Sequence, residues 1–313
     1  MLIRSYEKGK VEKLGSIQVK RIAVERNGKP FGTDRTPRSI HSSPYQEVLE
    51  YAIENNIAIE SLPSRWIRYG DAILLTFQGD IATQRKIAGA YARSIGVSSV
   101  YRIDGRIRGI QREPTLRLIY GPGGEVTHLE NGIRFVFDPA RIMFSPGNVN
   151  ERVSMKTFPA SGKKVLDMFS GIGSFSLPLA KYQNPEFVQC CEINPLSADF
   201  LQKSAEANRV DKTIRVFRGD SRTFSSQFLY DIVIMGNFQS TRFFVKALSL
   251  IRPGGLIIMH HLVSTDRLDD TATALMRRIA RYSLSAEIVD THVVKSVAPN
   301  YYHVSTTLKI NQR

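Results

Sequence analysis

VLDMFSGIGSFSLPLA, residues 165–180, is the stretch on which the reading of this chain turns. An apolar run of strand character ends at an acid, Asp167, and Gly171-Ile172-Gly173 then turns the chain into a helical stretch. Glycine tolerates positive φ and lets backbone approach a ligand closely. In open α/β sheets, ligands sit at the carboxyl ends of the strands. The dinucleotide fingerprint G-x-G-x-x-G is absent, because Gly171 and Gly173 are followed by Phe175 and Ser176. An acid at the strand end repels a pyrophosphate and suits a cation.

Two further strands repeat the acidic ending. Residues 187–193 read as a strand carrying Glu192 at its end, and 213–218 as one followed by Asp220. An ionised carboxylate offers only acceptors, which suits ribose hydroxyls at Glu192 and an adenine amino group at Asp220. Each acid alone reads equally well as a loop carboxylate or helix cap. Together with the glycine turn they describe a pocket for an adenosine bearing a positive charge, and S-adenosylmethionine fits, with Ser221 beside Asp220.

Outward from there, strands at 231–235 and 256–260 alternate with helices at 195–208, 240–251 and 266–282. Two strands, 286–291 and 302–309, close the region without a helix between them. Such alternation means a parallel sheet covered on both faces. The expected fold is α/β: a class I methyltransferase Rossmann-like domain over 159–313, with a mostly parallel seven-stranded sheet and one antiparallel strand. Cys190 and Cys191 lie inside the second strand and read as small buried residues. No disulfide framework or metal-ligand spacing is present, so no metal is expected and a reducing cytoplasm is the expected setting.

Residues 61–158 read as a small α+β module and linker, with strands at 72–77, 98–103, 115–120 and 132–138 and a helix over 83–95. Residues 1–60 form a basic extension; the first 40 carry ten Lys or Arg against four Asp or Glu, and 45–59 reads as a helix. The net charge of +14 favours a polyanionic partner. YRIDGRIRGIQR interleaves Arg102, Arg106, Arg108 and Arg112 with isoleucines, the pattern of a segment pinned to a core with cations facing a phosphate backbone. Lys295 is a further candidate for RNA contact, and Trp66 reads as a core anchor. No apolar run approaches the ~20 residues that cross a bilayer. A monomer is expected.

These segments resemble two related tRNA-modifying families. One methylates guanine N1 just 3′ of the anticodon; the other, the archaeal wybutosine-pathway aminocarboxypropyltransferases, acts on the same nucleotide of tRNA(Phe) after it has become a tricyclic base. The resemblance spans about 62–309 and is carried by SRWIRYGDAILL, ENGIRFVFDPARIMFSPGNVNERVSM, VLDMFSGIGSFSLPLA, the Ile-Met-Gly of 234–236, and VAPNYYHV. It implies tRNA as partner and S-adenosylmethionine as donor. It also implies that Ser145 and Arg152 contact the methionine end of the donor. Where the methyltransferases carry Asn-Leu-Pro, this chain has Gly236-Asn237-Phe238, which looks like the aminocarboxypropyl family. The glycine is expected to leave room for a rotated methionyl group. Relatives have a histidine matching His261, for which an acid–base role is the expectation. Methyl transfer by a tRNA guanine-N1 methyltransferase stays open as an alternative, as does a noncatalytic RNA-binding protein with a degenerate fold of this type.

Overall fold

The computed structural model describes residues 43–267, 271–281 and 285–311. The basic arm expected over 1–40 lies outside the described residues. Ser43 caps helix α1 (Pro44–Glu54) by accepting from Gln46 N–H. A four-stranded sheet follows: β1 (Ile67–Tyr69), β2 (Ala72–Leu75), β3 (Ser99–Ile103) and β4 (Leu116–Tyr120), in that spatial order. Helix α2 (Ile81–Ile95) makes the parallel crossover from β2 to β3. Asp80 caps its start, and Gly96, at φ 67°, ends it. Ile73, Leu75, Ile87, Tyr91 and Val100 form its core, with Trp66 packed edge-on to Tyr91 as an anchor.

The Gly-Pro-Gly-Gly turn at 121–124 ends this module. A Cβ on Gly121 (φ 85°) would lie 1.9 Å from Ser98 carbonyl oxygen. Beyond it, β5 (Val126–Glu130) and β6 (Ile133–Phe137) form a hairpin. Only the second of these strands is expected from periodicity, and the hairpin does not join the first sheet. It packs on the helix Pro195–Asn208 of the following domain: Arg134 N–H donates to Asn208 Oδ1 at 3.0 Å and Val136 N–H to Ser204 Oγ at 2.9 Å. Helix α3 (Val149–Ser154) then leads into the large sheet.

That sheet contains β7 (Lys164–Asp167), β8 (Phe187–Glu192), β9 (Ile214–Arg218), β10 (Tyr230–Met235), β11 (Ile251–Ser264), β12 (Ser285–Ala298) and β13 (Tyr301–Asn311). Its order is β12-β13-β11-β10-β7-β8-β9, and β13 alone runs antiparallel to both its neighbours. The connecting helices are α4 (Ser176–Gln183), α5 (Pro195–Asn208), α6 (Phe244–Leu250) and α7 (Thr271–Ala280). This is the expected mostly parallel seven-stranded fold. The departures are in length: β11, β12 and β13 outrun their apolar cores, because antiparallel pairing carries the ladder on through polar residues such as His261, Ser264 and Thr291. Order reverses at β7–β10, so the crevice above the carboxyl ends of these strands is the switch point where ligands bind in open sheets.

Candidate functional site

At the end of β7, Asp167 is completely buried. It accepts from Ser176 Oγ at 2.6 Å and from Phe169 N–H at 3.1 Å. Burial pushes its carboxyl up to about 6, against those two donors. Its work in this structure is to hold the glycine turn onto the first residue of α4. Gly173 (φ 92°) lies against Leu177 of α4 and Leu201 of α5, so the turn enters α4 with no room for a side chain. Gly171 (φ 55°) faces open space instead, with nothing within 4 Å of where a Cβ would stand.

Glu192 ties the turn to the next strand. Its Oε2 accepts from Gly171 N–H at 2.7 Å and its Oε1 from Asn194 N–H at 2.8 Å. Burial raises its carboxyl above the usual range, against these bonds and the nearby Arg112. Each oxygen keeps a lone pair for a hydroxyl. Asp220 differs from expectation. Arg222 Nε donates to both its oxygens, at 3.1 and 3.0 Å, and this grip holds the carboxyl below the usual range. Its neighbour Ser221 is 4% exposed, and its Oγ has no protein partner among the described residues.

Arg152 is also redirected. Its Nε and Nη2 donate to the two oxygens of Glu130 at 2.6 and 2.8 Å, and its Nη1 to Ser145 carbonyl oxygen at 2.9 Å. The guanidinium expected to contact the methionine end of the donor thus makes its bidentate grip on Glu130, which the β5–β6 hairpin brings to it. Arg152 braces the segment from Ser145 to itself, and its cation lies 4.5 Å over the Phe144 ring. Glu130 falls to about 2, since His128 and Arg152 outweigh its burial.

Gly236 does not open space for a ligand. A Cβ there would lie 2.5 Å from Phe175, whose ring fills the position. Asn237, one position on, turns its Oδ1 to Gln239 N–H at 2.8 Å, closing its own turn. The Phe175 ring stacks on His260, with centroids 5.0 Å apart. Alternate residues of a strand face opposite ways, so His261 turns from this side; its Nε2 meets Thr306 Oγ1 at 3.1 Å. Burial drops His261 to about 4, which keeps it neutral. The resemblance therefore pointed to the member of the histidine pair that faces away from Phe175.

The five cations assigned to RNA divide. Arg106 and Arg108 are exposed. Arg102 is paired with Asp104 and donates to Gln84 Oε1 at 2.7 Å. Arg112 reaches Met143 Sδ at 3.7 Å in a loop tied to the nucleotide side by Asn194 Nδ2, which donates to Gln111 carbonyl oxygen at 3.2 Å. Lys295 Nζ donates to Asn148 Oδ1 at 2.6 Å, above the Ser145–Arg152 segment.

The residues present fit a nucleoside with a cationic thioether substituent. Gly171 offers an unobstructed backbone, Glu192 free lone pairs, and Ser221 a buried hydroxyl lacking a partner. Among the described residues no group of His, Cys, Asp and Glu could hold a metal ion, and no helix is long and apolar enough to cross a membrane.

Residues 126–289 match the family model of the TRM5/TYW2 methyltransferase domain, and 45–124 that of the TYW2 N-terminal domain. The tRNA(Phe) (4-demethylwyosine(37)-C(7)) aminocarboxypropyltransferase of Pyrococcus horikoshii is 33% identical, over 85% of this chain and 95% of its own length. The enzyme of the same name from Methanocaldococcus jannaschii is 32% identical, over 66% of this chain and 84% of its own. The crystal structure of P. horikoshii TYW2 in complex with MeSAdo has a TM-score of 0.77 at 30% identity, covering 86% of this chain and all of that one.

Proposed function

The chain belongs to the TRM5/TYW2 methyltransferase family, and from that premise we propose that it transfers the 3-amino-3-carboxypropyl group of S-adenosylmethionine to C7 of 4-demethylwyosine beside the anticodon of tRNA(Phe), releasing methylthioadenosine. The observation that carries the choice of group is at Gly236. The methyltransferases' asparagine position is a glycine covered by Phe175, and Asn237 is spent on its own turn. The asparagine of the methyltransferases thus has no counterpart at that position.

S-adenosylmethionine supplies an electrophilic carbon bonded to a sulfonium. Glu192, the Gly171 backbone and Ser221 hold the nucleoside end, with Asp167 and Gly173 keeping the turn in shape and Asp220 reaching the adenine side only if Arg222 yields. The Ser145–Arg152 segment, braced on Glu130, orients the methionine end. Residues 61–158 form the tRNA-binding module, with Arg106 and Arg108 on phosphates, and 159–313 the catalytic domain. The protein works as a cytoplasmic monomer on a loop whose bases are already partly unpaired, which lowers the cost of presenting the target.

The test uses tRNA carrying the tricyclic base and donor labelled separately at the carboxyl and methyl carbons. Carboxyl label in the RNA without methyl label is the expected result. Methyl label alone would establish the guanine-N1 alternative, and absence of both, with no donor binding by calorimetry, a noncatalytic RNA-binding protein.

A further inference from the structure

Two buried histidines meet beneath the rings that flank Gly236. His260 Nδ1 and His303 Nε2 are 2.8 Å apart, and both residues are 1% exposed. Phe175 stacks on His260, and Phe238 meets His303 edge-on at 4.8 Å. Each ring has one more nitrogen, and neither has a hydrogen-bond partner among the described residues: His260 Nε2 and His303 Nδ1. Buried polar atoms are almost always paired, so two orphans in one pair call for an explanation.

The surroundings decide which nitrogens carry protons. Glu151, 5% exposed, holds its Oε2 3.8 Å from His260 Nε2. A carboxylate at that distance favours an N–H pointing at it. His260 then carries its proton on Nε2, and its bare Nδ1 accepts from His303 Nε2–H. A neutral imidazole has one N–H, so the lone pair of His303 Nδ1 is left without a partner among the described residues. Glu151 Oε1 continues outward to His292 Nε2 at 2.8 Å, and His292 Nδ1 to Asp290 Oδ2 at 2.7 Å, both of these residues being exposed. Burial and the neighbouring histidines hold His260 near 3; burial and Lys295 hold His303 near 4, so both are neutral at physiological pH.

Resting on the function proposed above, we infer that His303 Nδ1 accepts the proton that the target carbon loses, and that His260 and Glu151 are positioning residues that set its tautomer and lead the proton toward His292 and the surface. The chemistry requires such an acceptor. The π electrons at C7 form a bond to the methionyl Cγ, while the Cγ–S pair leaves with sulfur as a neutral thioether. C7 then holds both the new carbon and its original hydrogen, and the ring system bears the positive charge. Passing that hydrogen to His303 Nδ1 as a proton returns the C–H pair to the ring. His303 Nε2–H passes to His260 Nδ1 and His260 Nε2–H to Glu151; one proton leaves per turnover once both rings, now Nδ1–H, have returned to the Nε2–H tautomer by exchange with solvent after product release.

Two measurements test this. His303→Gln keeps an amide N–H where Nε2 sits, preserving the bond to His260, and deletes the Nδ1 acceptor. With tRNA deuterated at C7, the wild-type protein should transfer label without a primary isotope effect. The variant, at unchanged donor affinity, should slow about a hundredfold and show a clear one. Unchanged turnover with no isotope effect overturns the inference. In the wild-type protein with 15N-labelled histidine, long-range proton–nitrogen spectra should show both rings as Nε2–H tautomers, whatever the variant's folding. An Nδ1–H on His303 overturns it. Should the wild-type protein transfer no aminocarboxypropyl group, the function proposed above fails while the tautomer result still stands.

Discussion

On the nucleotide side of the crevice, Asp167 and Glu192 accept from Ser176 and from the backbone N–H groups of Phe169, Gly171 and Asn194. Against these stand three buried atoms with no hydrogen-bond partner among the described residues: Ser221 Oγ beside the nucleoside site, and His260 Nε2 and His303 Nδ1 on the acceptor side. The first set builds shape: acids at strand ends fasten the glycine turn together with the backbone bonds of Ser170 and Gly173. The second set is what a folded chain leaves open at a cost of about 1–3 kcal/mol for each group. Removing a partner from the first kind of site should therefore damage the fold. Removing an atom of the second kind should damage function and spare the fold.

The largest effect is expected at Glu130. Glu130→Ala strands Arg152, 3% exposed, without its counter-charge. A loss of about 3–5 kcal/mol in urea unfolding is expected; a change of a few tenths would show that Arg152 is free for a ligand after all. Gly173→Ala comes next. Its Cβ would sit 2.6 Å from Leu177 and 2.7 Å from Leu201 at a positive φ, for a combined loss of about 2–4 kcal/mol. Native stability in that variant would mean that the turn is looser than its bonding indicates.

Acid should expose the histidine side. His260, His261 and His303 lie near 3, 4 and 4, below the ordinary value of 6.5. Their contribution is present above pH 6.5 and is lost as pH falls toward 4, because the unfolded chain binds protons that the folded one refuses. Asp167, raised to about 6 from 3.8, acts oppositely: its burial penalty is relieved as pH falls through 6. Glu192, also raised by burial, acts with Asp167, but three histidines outweigh two carboxyls, so Tm should drop between pH 7 and 5, and less steeply in His303→Gln. A flat profile would contradict the buried neutral pair.

Ser221→Ala should leave Tm unchanged or slightly higher while weakening donor binding by about 1 kcal/mol in calorimetry. Equal affinity would remove Ser221 from the nucleoside pocket. The smallest effects belong to the exposed cations. Arg106→Ala and Arg108→Ala should each lower the salt dependence of tRNA binding by about one unit of slope with no loss of donor affinity. An identical change at Arg102, which is paired with Asp104, would erase that distinction.

Strand–helix alternation, the glycine turn and the three acids were legible from residue order, because periodicity, φ preference and strand-end position are local properties. So was the seven-stranded architecture that follows from them. Partner choice across the fold was not. Arg152 finds Glu130 twenty-two positions away through the hairpin, and His260 finds His303 forty-three away through the β11–β13 register. One residue of slip in that register would turn His261 toward Phe175 in place of His260. Phe175 likewise closes over Gly236 only when β7 and β10 lie side by side. Residue order was enough to dictate which chemical groups this protein possesses and the kind of sheet that carries them. Which of those groups are spent on one another, and which remain for a substrate, was settled by folding, since that depends on distances between segments far apart along the chain.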